Sequence, residues 1–514
     1  MEILWLRRDL RLSDNEIFSA GAGAKRSILP LFIVDPQFFR AQPVSPLKVR
    51  FLAESLANLH KNLQERGSRL TILEGDSVEL IKTLTETLLD QGQRPRLRRN
   101  RDAQTSYGLE RDRKIDQYFN ERNLQTCWGT NHFLQTTLNL DQWWREYHGF
   151  QQCPLLVSPT HLSTPDFDLA LPQLTPAEFA QKYGGHITLP SSPFYGGEDQ
   201  ALVTLDSFLT HRFRGYHWRL SRPWEAQQGA TSLLSAHLYW GTISSRTIYQ
   251  YVYSHKTTRP QDKFALKAFC DRLRWFDKFT GRLYFHPEWA NCNQYPEFDE
   301  IYNLAPLDDE RKSLFHAWQN GQTGYPLVDA SMRQLNTTGW MSFRMRALCA
   351  TFLTINCGVS WQYGADYFLA KLIDGSAAIN NWQWQAQAGA TNPMSESFRI
   401  YNPTKNLKDK DPKLRFVYHW VPELRGYPLE DLLTSKPSTQ NKYVLPIVDW
   451  AKTRRTNGKR LSDLRRRIRD RITVEGGDVY DDAIKAQATV EKYLAVKDEQ
   501  YAEYQRQQAS CTVS

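Results

Sequence analysis

A run of aromatic and apolar residues between positions 324 and 403 contains polar side chains that could do chemistry. Arg344, Asp374 and Asn380 lie in stretches whose apolar spacing is typical of helices. Three tryptophans accompany them: Trp361, Trp382 and Trp384. A buried charge is tolerated only when it is paired, and clustered indoles suit packing, stacking or one-electron transfer.

A second candidate is a hydroxyl-rich turn upstream of this run. It comprises Thr231, Ser232, Leu233, Leu234 and Ser235. Its three hydroxyls, together with free amides at the start of a helix, suit a pyrophosphate. A plain helix cap is the alternative, because serine and threonine are common N-cap residues. The position of the turn upstream of the 324–403 run favours the phosphate interpretation.

The elements that must position these residues differ between the two parts of the chain. In the first part, β-like and helix-like segments alternate, which predicts a parallel α/β sheet. The β-like segments are 3–6, 27–35 and 69–73, and the helix-like segments are 47–66 and 78–89. Residues 150–200 are rich in Pro, Ser, Thr and Gly, which is typical of a linker. From about residue 202 the apolar spacing predicts helices.

Composition favours a two-domain cytoplasmic protein with a polyanionic partner. A chain of 514 residues is too long for one ordinary core. The formal charge of +9 and the pI near 9.0 favour a polyanion. No apolar stretch reaches the roughly 18 residues that span a bilayer, and the N-terminus lacks a signal-peptide core. The seven cysteines include no CxxC pair, which predicts reduced thiols and no metal or iron–sulfur site.

Several motifs resemble the photolyase/cryptochrome family. WLRRDLRLSDN at 5–15 resembles the start of its antenna domain, and GYPLVDA, WQYGADY and FRIYNP in the 324–403 run resemble its flavin-binding domain. The likeness covers nearly the whole chain and is strongest from 216 to 426. It implies an α/β antenna-type domain and an all-helical FAD-binding domain, with a second antenna chromophore of unknown identity.

One departure concerns residues 94–102, where four arginines in six positions make a poor buried strand. Either this edge of the domain is exposed or the usual antenna pocket is altered. The arginines at 94–101 and at 454–471 could contact phosphates, with a solvated basic face as the alternative.

The resemblance also implies roles for the candidate residues. The turn at 231–235 matches the family's phosphate-binding turn. Arg344 and Asp374 match the ion pair beside the isoalloxazine ring, where positive charge suits a reduced anionic flavin. Asn380 matches the residue that faces flavin N5, and a carboxamide there resembles photolyases more than animal or plant photoreceptors. A helix-interior salt bridge with an asparagine cap is the structural alternative.

The electron relay of the family is matched in part. Trp384 and Trp361 match its first two hopping positions, and the third, outer tryptophan falls at Asp308. Trp318, Trp382 or a tyrosine could substitute, and sequence does not choose among them.

The lesion pocket of the family is matched least. Trp275 matches the aromatic residue that packs against a pyrimidine dimer, and such stacking is worth roughly 1–3 kcal/mol per base. The glutamate expected three residues before it is Arg272. Together with Arg344, these residues form the predicted DNA-binding set. A tryptophan, an asparagine and a methionine of the family are replaced by Ala386, Phe343 and Ala347, respectively.

We therefore predict a photolyase that splits cyclobutane pyrimidine dimers in damaged DNA by electron transfer from excited FADH⁻. The sequence does not decide whether the damaged DNA is single-stranded or double-stranded. A cryptochrome-like blue-light receptor and a flavin-bearing DNA-binding protein with little repair activity are the alternatives. The predicted catalytic residues are Trp384, Trp361, Asn380 and Trp275. The predicted domains are an antenna-type domain (1–135), a linker (136–201), a helical FAD-binding domain (202–450) and a basic and polar helical extension (451–514).

Overall fold

A computed structural model describes most of the chain. The described residues are 1–23, 27–37, 44–102, 105–130, 140–165, 169, 171–184, 193–257, 259–395, 398–433 and 443–475. Contacts divide the chain into a first unit, Met1–Tyr216 with Ser232–Pro287, and a second unit, His217–Thr231 with Glu288–Ser514. The domain boundaries predicted from sequence stay predictions, and the polar helix predicted for the last forty residues lies outside the described residues apart from its first position. Within the described ranges, no helix combines the length and apolarity that crossing a membrane requires.

The first unit contains a parallel sheet of five strands in the order β3-β2-β1-β4-β5. The strands are β1 (Glu2–Leu6), β2 (Ile28–Val34), β3 (Thr71–Glu74), β4 (Arg96–Arg101) and β5 (Gln125–Thr130). Every residue of β1 and β2 is buried, which agrees with their apolar sequences apart from the paired Glu2. The α/β fold predicted from the alternating segments is confirmed, with strand ends displaced by only one or two positions.

Helices connect the strands and cover the sheet. The four connecting helices are Glu16–Gly23, Pro46–Gln64, Ser77–Asp90 and Ser106–Glu121. Local signals set where they begin: Ser45 and Asp76 accept backbone N–H groups at the starts of the second and third. Further helices of this unit are Leu140–Gln152, Pro176–Gly184, Glu198–Ser207, Ser235–Trp240, Ser245–Ser254 and Pro260–Phe285, with a π-helical turn at Phe208–Arg212.

The arginine-rich segment corrects an expectation. It forms β4, which is paired on both sides, so the predicted exposed edge is wrong. Arg99 is fully buried, donates to Asp116 at 2.7 Å and lies 4.0 Å from the ring centroid of Trp128. Arg98 pairs with the buried Glu2. Each of these guanidinium groups is tolerated because a carboxylate from a distant part of the chain pairs with it. Arg98 and Arg99 therefore make their contacts within the fold.

The second unit is helical and has one large hydrophobic core. Its helices are Pro223–Glu225, Asp309–Asn320, Pro326–Thr338, Phe343–Thr351, Trp361–Lys371, Ala377–Gln387, Pro403–Lys410, Arg415–Trp420, Leu429–Leu433 and Trp450–Glu475. Short π-helical or 3₁₀ segments are Ala226–Ala230, Pro296–Glu300, Phe352–Asn356 and Pro422–Leu424, and Tyr216–Arg219 and Pro287–Ala290 lie at the unit boundaries. Trp318, Trp361 and Trp384 are all buried in the core. The helical fold predicted for this part is confirmed.

The turn that opens the 324–403 run needs a glycine. Gly324 has φ +78°, and a Cβ there would lie 2.4 Å from the backbone nitrogen of Pro446. Asp329 accepts from the backbone N–H and hydroxyl of Thr323 at 2.7 and 2.6 Å, and burial raises the pKa of its carboxyl. Pro326 then occupies the first turn of the next helix, so this motif is explained by local structure.

The basic helix Trp450–Glu475 buries one of its arginines, Arg465, and uses others in ion pairs at its surface. Arg465 is 3% exposed and donates to the carbonyls of Thr391, Asn392 and Ser395 at 2.7 to 2.8 Å. Other arginines of this helix pair with carboxylates of the second unit, as Arg471 does with Glu297. These side chains hold the fold together, which is a third role beside the two considered from sequence.

Candidate functional site

A partly buried ion pair joins the helix Phe343–Thr351 to the turn that precedes the helix Ala377–Gln387 in the second unit. Arg346 Nη2 donates to both carboxylate oxygens of Asp374, at 3.1 and 2.9 Å, and Arg346 Nε donates to the Met341 carbonyl at 2.8 Å. The side chain of Asp374 is 5% exposed and that of Arg346 is 27% exposed. The pair therefore offers a fixed positive charge that stays partly open to a bound group.

The predicted pairing of Asp374 with Arg344 is wrong. Arg344 Nη1 donates instead to the hydroxyl of Tyr401 at 2.7 Å, and its guanidinium lies over the rings of Phe343 and Tyr401. The two arginines are two positions apart on the helix Phe343–Thr351, so their side chains point in different directions. Sequence reasoning missed Arg346, because which of two residues two positions apart on a helix faces Asp374 depends on packing.

The carboxamide of Asn380 has a fixed orientation. Its Nδ2 donates to the Ala365 carbonyl at 3.0 Å and to Asn381 Oδ1 at 2.8 Å. Asn381 is oriented in turn, because its own Nδ2 donates to the Ala290 carbonyl. Both N–H groups of Asn380 are thus used, and what it can offer a further group is its carbonyl oxygen, an acceptor for an N–H.

The two relay tryptophans are core residues. Trp384 is 2% exposed, with its ring centroid 5.0 Å from that of Phe368 and 5.9 Å from that of Trp318. A Cβ on Gly364 would lie 2.2 Å from the indole of Trp384, so the close approach requires glycine there. Trp361 is fully buried and donates from Nε1 to Asn293 Oδ1 at 2.8 Å.

The position of the missing outer tryptophan has a structural role. Asp308 caps the helix Asp309–Asn320 and accepts from the Arg311 N–H at 2.7 Å. Of the two tryptophans considered as substitutes, Trp318 packs against Trp384, whereas Trp382 packs against Trp289 at 6.0 Å. Stacked or edge-on rings continue from Trp318 to the tyrosines Tyr367 and, through Phe315, Tyr363.

The hydroxyl-rich turn has an unusual backbone. Leu233 has φ +61°, a left-handed conformation that is strained for a leucine. The helix that follows, Ser235–Trp240, has Leu234 at its N-cap and no side-chain cap hydrogen bond, so the plain-cap alternative is not supported. Thr231 ends one segment of the second unit, and Ser232 begins a segment of the first.

An arginine that sequence reasoning missed lies beside this turn. Arg212 Nη2 donates to the Ser232 carbonyl at 3.2 Å and to the Thr204 carbonyl at 2.9 Å. Burial lowers the pKa of its guanidinium to about 10, so it stays charged at neutral pH. A fixed cation next to a hydroxyl-rich turn fits a phosphate group. Arg212 and Ser232 are 20 positions apart in the sequence, so only the folded structure brings them together.

Trp275 and Arg272 share the exposed face of the helix Pro260–Phe285 in the first unit. Trp275 is 39% exposed and stacks on Phe279 at a centroid distance of 5.5 Å. Arg274 and Lys278 lie 5.9 and 5.4 Å from its ring centroid. An exposed indole flanked by cations is a surface on which a nucleic-acid base could stack.

Comparison with known proteins identifies the family of both parts of the chain. Residues 2–152 match the sequence family described as DNA photolyase, and residues 269–463 match the FAD binding domain of DNA photolyase. The deoxyribodipyrimidine photo-lyase of Streptomyces griseus is 32% identical over 435 residues, which cover 81% of this chain and 88% of that protein. The chain belongs to the photolyase/cryptochrome family.

Both branches of the family are represented among its relatives. A cryptochrome DASH from Gloeobacter violaceus is 29% identical, over 83% of this chain and 86% of that protein. The archaeal photolyase of Sulfolobus tokodaii, solved with two FAD molecules, has a TM-score of 0.72 and 28% identity, and the match covers 90% of this chain and all of that one. The predicted family, fold class and FAD cofactor are confirmed.

The residues of the structure fit FAD. A reduced flavin carries negative charge at one edge of its ring and an N–H at N5, and the second unit offers a fixed guanidinium and a fixed carbonyl acceptor. Within the first unit, Arg212 and the hydroxyl-rich turn beside it are the kind of groups that bind a phosphate. The roles of the individual residues stay proposals.

Proposed function

We propose that this flavoprotein repairs cyclobutane pyrimidine dimers in DNA under blue light. The observation that carries the proposal is the pair Arg346–Asp374 together with the oriented Asn380, in a chain whose relatives include proteins named deoxyribodipyrimidine photo-lyase. When bound, reduced FAD supplies the excited electron that splits the dimer and takes that electron back afterwards. A cytoplasmic location stays a prediction of the sequence.

The residues of the second unit prepare the flavin for this role. Arg346 stabilises negative charge, and Asp374 holds its guanidinium in one orientation through two hydrogen bonds. The carbonyl oxygen of Asn380 accepts a hydrogen bond from a protonated ring nitrogen, which favours the reduced ring. Trp384, buried beside Phe368 and Trp318, is the first electron donor for photoreduction.

The DNA is held by the exposed face around Trp275. This ring stacks on a base, and Arg272, exposed on the same helix face, hydrogen-bonds the pyrimidine carbonyls as a donor. Lys278 and Arg274 contact the backbone phosphates. Arg344, next to the 40%-exposed Phe343, belongs to the DNA-binding set of the second unit. Because stacking requires unpaired bases, we expect damaged single strands to bind at least as well as duplexes.

A cryptochrome-like photoreceptor is the second candidate. It is favoured by the cryptochrome DASH relative and by the lesion-pocket departures Ala386, Phe343 and Ala347, which remove contacts that the resemblance implies. A flavin-bearing DNA-binding protein with little repair activity is the third. Both keep the flavin site: the DNA-binding protein binds DNA without splitting the dimer, and the photoreceptor needs no DNA at all.

A repair assay separates these functions. Fully reduced protein is illuminated with a dimer-containing oligonucleotide, single-stranded in one arm and double-stranded in another, and restored thymines are measured by chromatography. Restoration under light and not in the dark supports repair. No restoration removes the repair proposal, and binding in the dark then separates the DNA-binding protein from the photoreceptor.

Two variants test the DNA surface. Trp275→Ala should weaken damaged-strand binding by the roughly 1–3 kcal/mol of one stacked base, while Trp218→Ala, at a tryptophan that is 49% exposed, should change it little. Arg272→Glu should change the preference among lesions. Equal binding by the Trp275 and Trp218 variants would contradict the stacking role.

A further inference from the structure

A pocket of about 860 Å³ lies in the first unit. It is bounded by the helices Leu140–Gln152, Ser245–Ser254 and the first half of Pro260–Phe285. Neither the turn at 231–235 nor Trp275 contributes to its lining. Its volume falls in the range of about 300–1,000 Å³ that is typical of ligand sites.

The charges of this pocket favour an anion. Its two aspartates are paired, Asp262 with Arg214 at 3.6 Å and Asp271 with Arg274 at 2.7 Å. Four further cations line the pocket and form no ion pair with any residue that the structure describes: Lys256, Arg259, Lys263 and Lys267. All four are exposed, so a phosphate could reach them without a change in the fold.

The cations form a row and not a point. Arg259, Lys263 and Lys267 recur every four positions at the start of one helix, which places them on one face over about 12 Å. A single phosphate is bound by groups that converge on it, whereas a row of separated cations suits the successive phosphates of a strand.

Aromatic rings also line the pocket, and they lie on the helices Ser245–Ser254 and Leu140–Gln152. Tyr249 and Tyr253 are stacked with centroids 4.3 Å apart, and Tyr253 is 66% exposed. On the helix Leu140–Gln152, Trp144 stacks on His148 at 5.5 Å, and the guanidinium of Arg274 lies 4.6 Å from the centroid of Trp144. Of the three rings Tyr249, Tyr253 and Trp144, Tyr253 is the exposed one, and an exposed ring beside cations suits single-stranded nucleic acid because every base has a face that can stack.

We propose that this pocket, in addition to the DNA surface around Trp275, binds a short stretch of single-stranded nucleic acid. One base stacks on the exposed ring of Tyr253, and the phosphates follow the row Arg259, Lys263 and Lys267. The binding needs neither light nor a lesion, so it is independent of the proposed repair. Repair can fail while this binding persists, and the reverse also holds.

Fluorescence anisotropy in the dark tests the proposal on the FAD-loaded protein with an undamaged, labelled thymidine oligonucleotide. Tyr253→Ala should weaken binding on the order of ten-fold, since it removes one stacking surface from an exposed position. Reversing two charges with Lys263→Glu and Lys267→Glu should weaken binding further and lower the salt slope by about 1.4, at roughly 0.7 per phosphate of a single strand. The matched control reverses Lys61 and Lys114, two exposed lysines of the same unit.

Each outcome decides the matter. Loss of binding in the pocket variants with the control unchanged supports the site. An equal loss in the control, or no change in Tyr253→Ala, overturns it in favour of non-specific attraction to the basic surface. Competition by free thymidine monophosphate at the same concentration as the oligonucleotide would also overturn it, because the pocket would then be a site for a small nucleotide.

Discussion

Replacing Asp374 with alanine should release the flavin, because it leaves Arg346 as an unpaired charge. Breaking a buried ion pair costs about 3–5 kcal/mol. Arg346 is 27% exposed and keeps its bond to the Met341 carbonyl, so the lower end of that range applies. If that cost falls on FAD binding, a loss of about 3 kcal/mol weakens the affinity by roughly two orders of magnitude.

The comparison of two arginines makes this prediction specific. Arg346→Gln should cause a similar loss, because it leaves the carboxylate of Asp374, 5% exposed, without its partner. Arg344→Gln is the matched control: it removes a bond to the Tyr401 hydroxyl and should leave FAD retention nearly unchanged. The combined Asp374→Asn and Arg346→Gln variant should lose less than the sum of the single changes, because the two residues share one interaction.

The assay is the ratio of bound flavin to protein after gel filtration, followed by equilibrium dialysis against FAD. Undiminished FAD in Asp374→Ala would refute the assignment of the ion pair to the flavin. Loss of FAD in the Arg344 variant with full retention in the Arg346 variant would refute the pairing that the structure shows.

Three other outcomes are expected. Trp384→Phe should slow photoreduction far more than Trp382→Phe in transient absorption, because Trp384 lies in the core against Phe368 and Trp318; the reverse order would exclude Trp384 as the first donor. Trp318→Phe should slow photoreduction too, since Trp318 packs against Trp384 and is a substitute for the outer tryptophan that is absent at Asp308; an unchanged rate would mean that electrons reach Trp384 by another route. Burial raises the pKa of Asp277 to about 8 from an ordinary value of 3.8, so the native state holds a proton that the unfolded chain releases and stability should fall as pH rises from about 4 to about 8. In urea unfolding across this range, Asp277→Asn should lose that pH dependence, and an unchanged slope would contradict it.

Sequence was sufficient for elements whose own residues determine them. The strand β2 is an uninterrupted apolar run and β1 is one after Glu2, a composition that is typical of strands buried on both faces. The strand β4 could not be predicted in the same way, because its arginines become tolerable only through partners elsewhere in the chain. Glu2 and Asp116 carry those charges, and no local pattern connects either of them with Arg98 or Arg99.

The candidate site shows the same division. Asp374 and Asn380 could be named from their motif, and the structure places both in buried, hydrogen-bonded positions. The choice between Arg344 and Arg346 depended on which side of a helix faces Asp374, which is a property of packing. The chain of bonds from Asn380 through Asn381 to Ala290 was invisible for the same reason, although it determines which atom of the carboxamide is presented.

Burial explains why the flavin residues match the family and why two of the lesion departures, Arg272 and Phe343, cost little; Ala347 is buried and Ala386 is half-buried. Asn380 and Trp384 are buried and the side chain of Asp374 is 5% exposed, so a substitution at any of them would leave an amide, a cavity or a charge uncompensated at a cost of several kcal/mol. Arg272 and Phe343 are exposed, and a change at an exposed position usually costs less than about 0.5 kcal/mol of stability. The flavin chemistry is therefore protected by folding itself, whereas substrate preference is free to change at the surface. For this reason the substrate, and not the cofactor, is what the repair assay must decide.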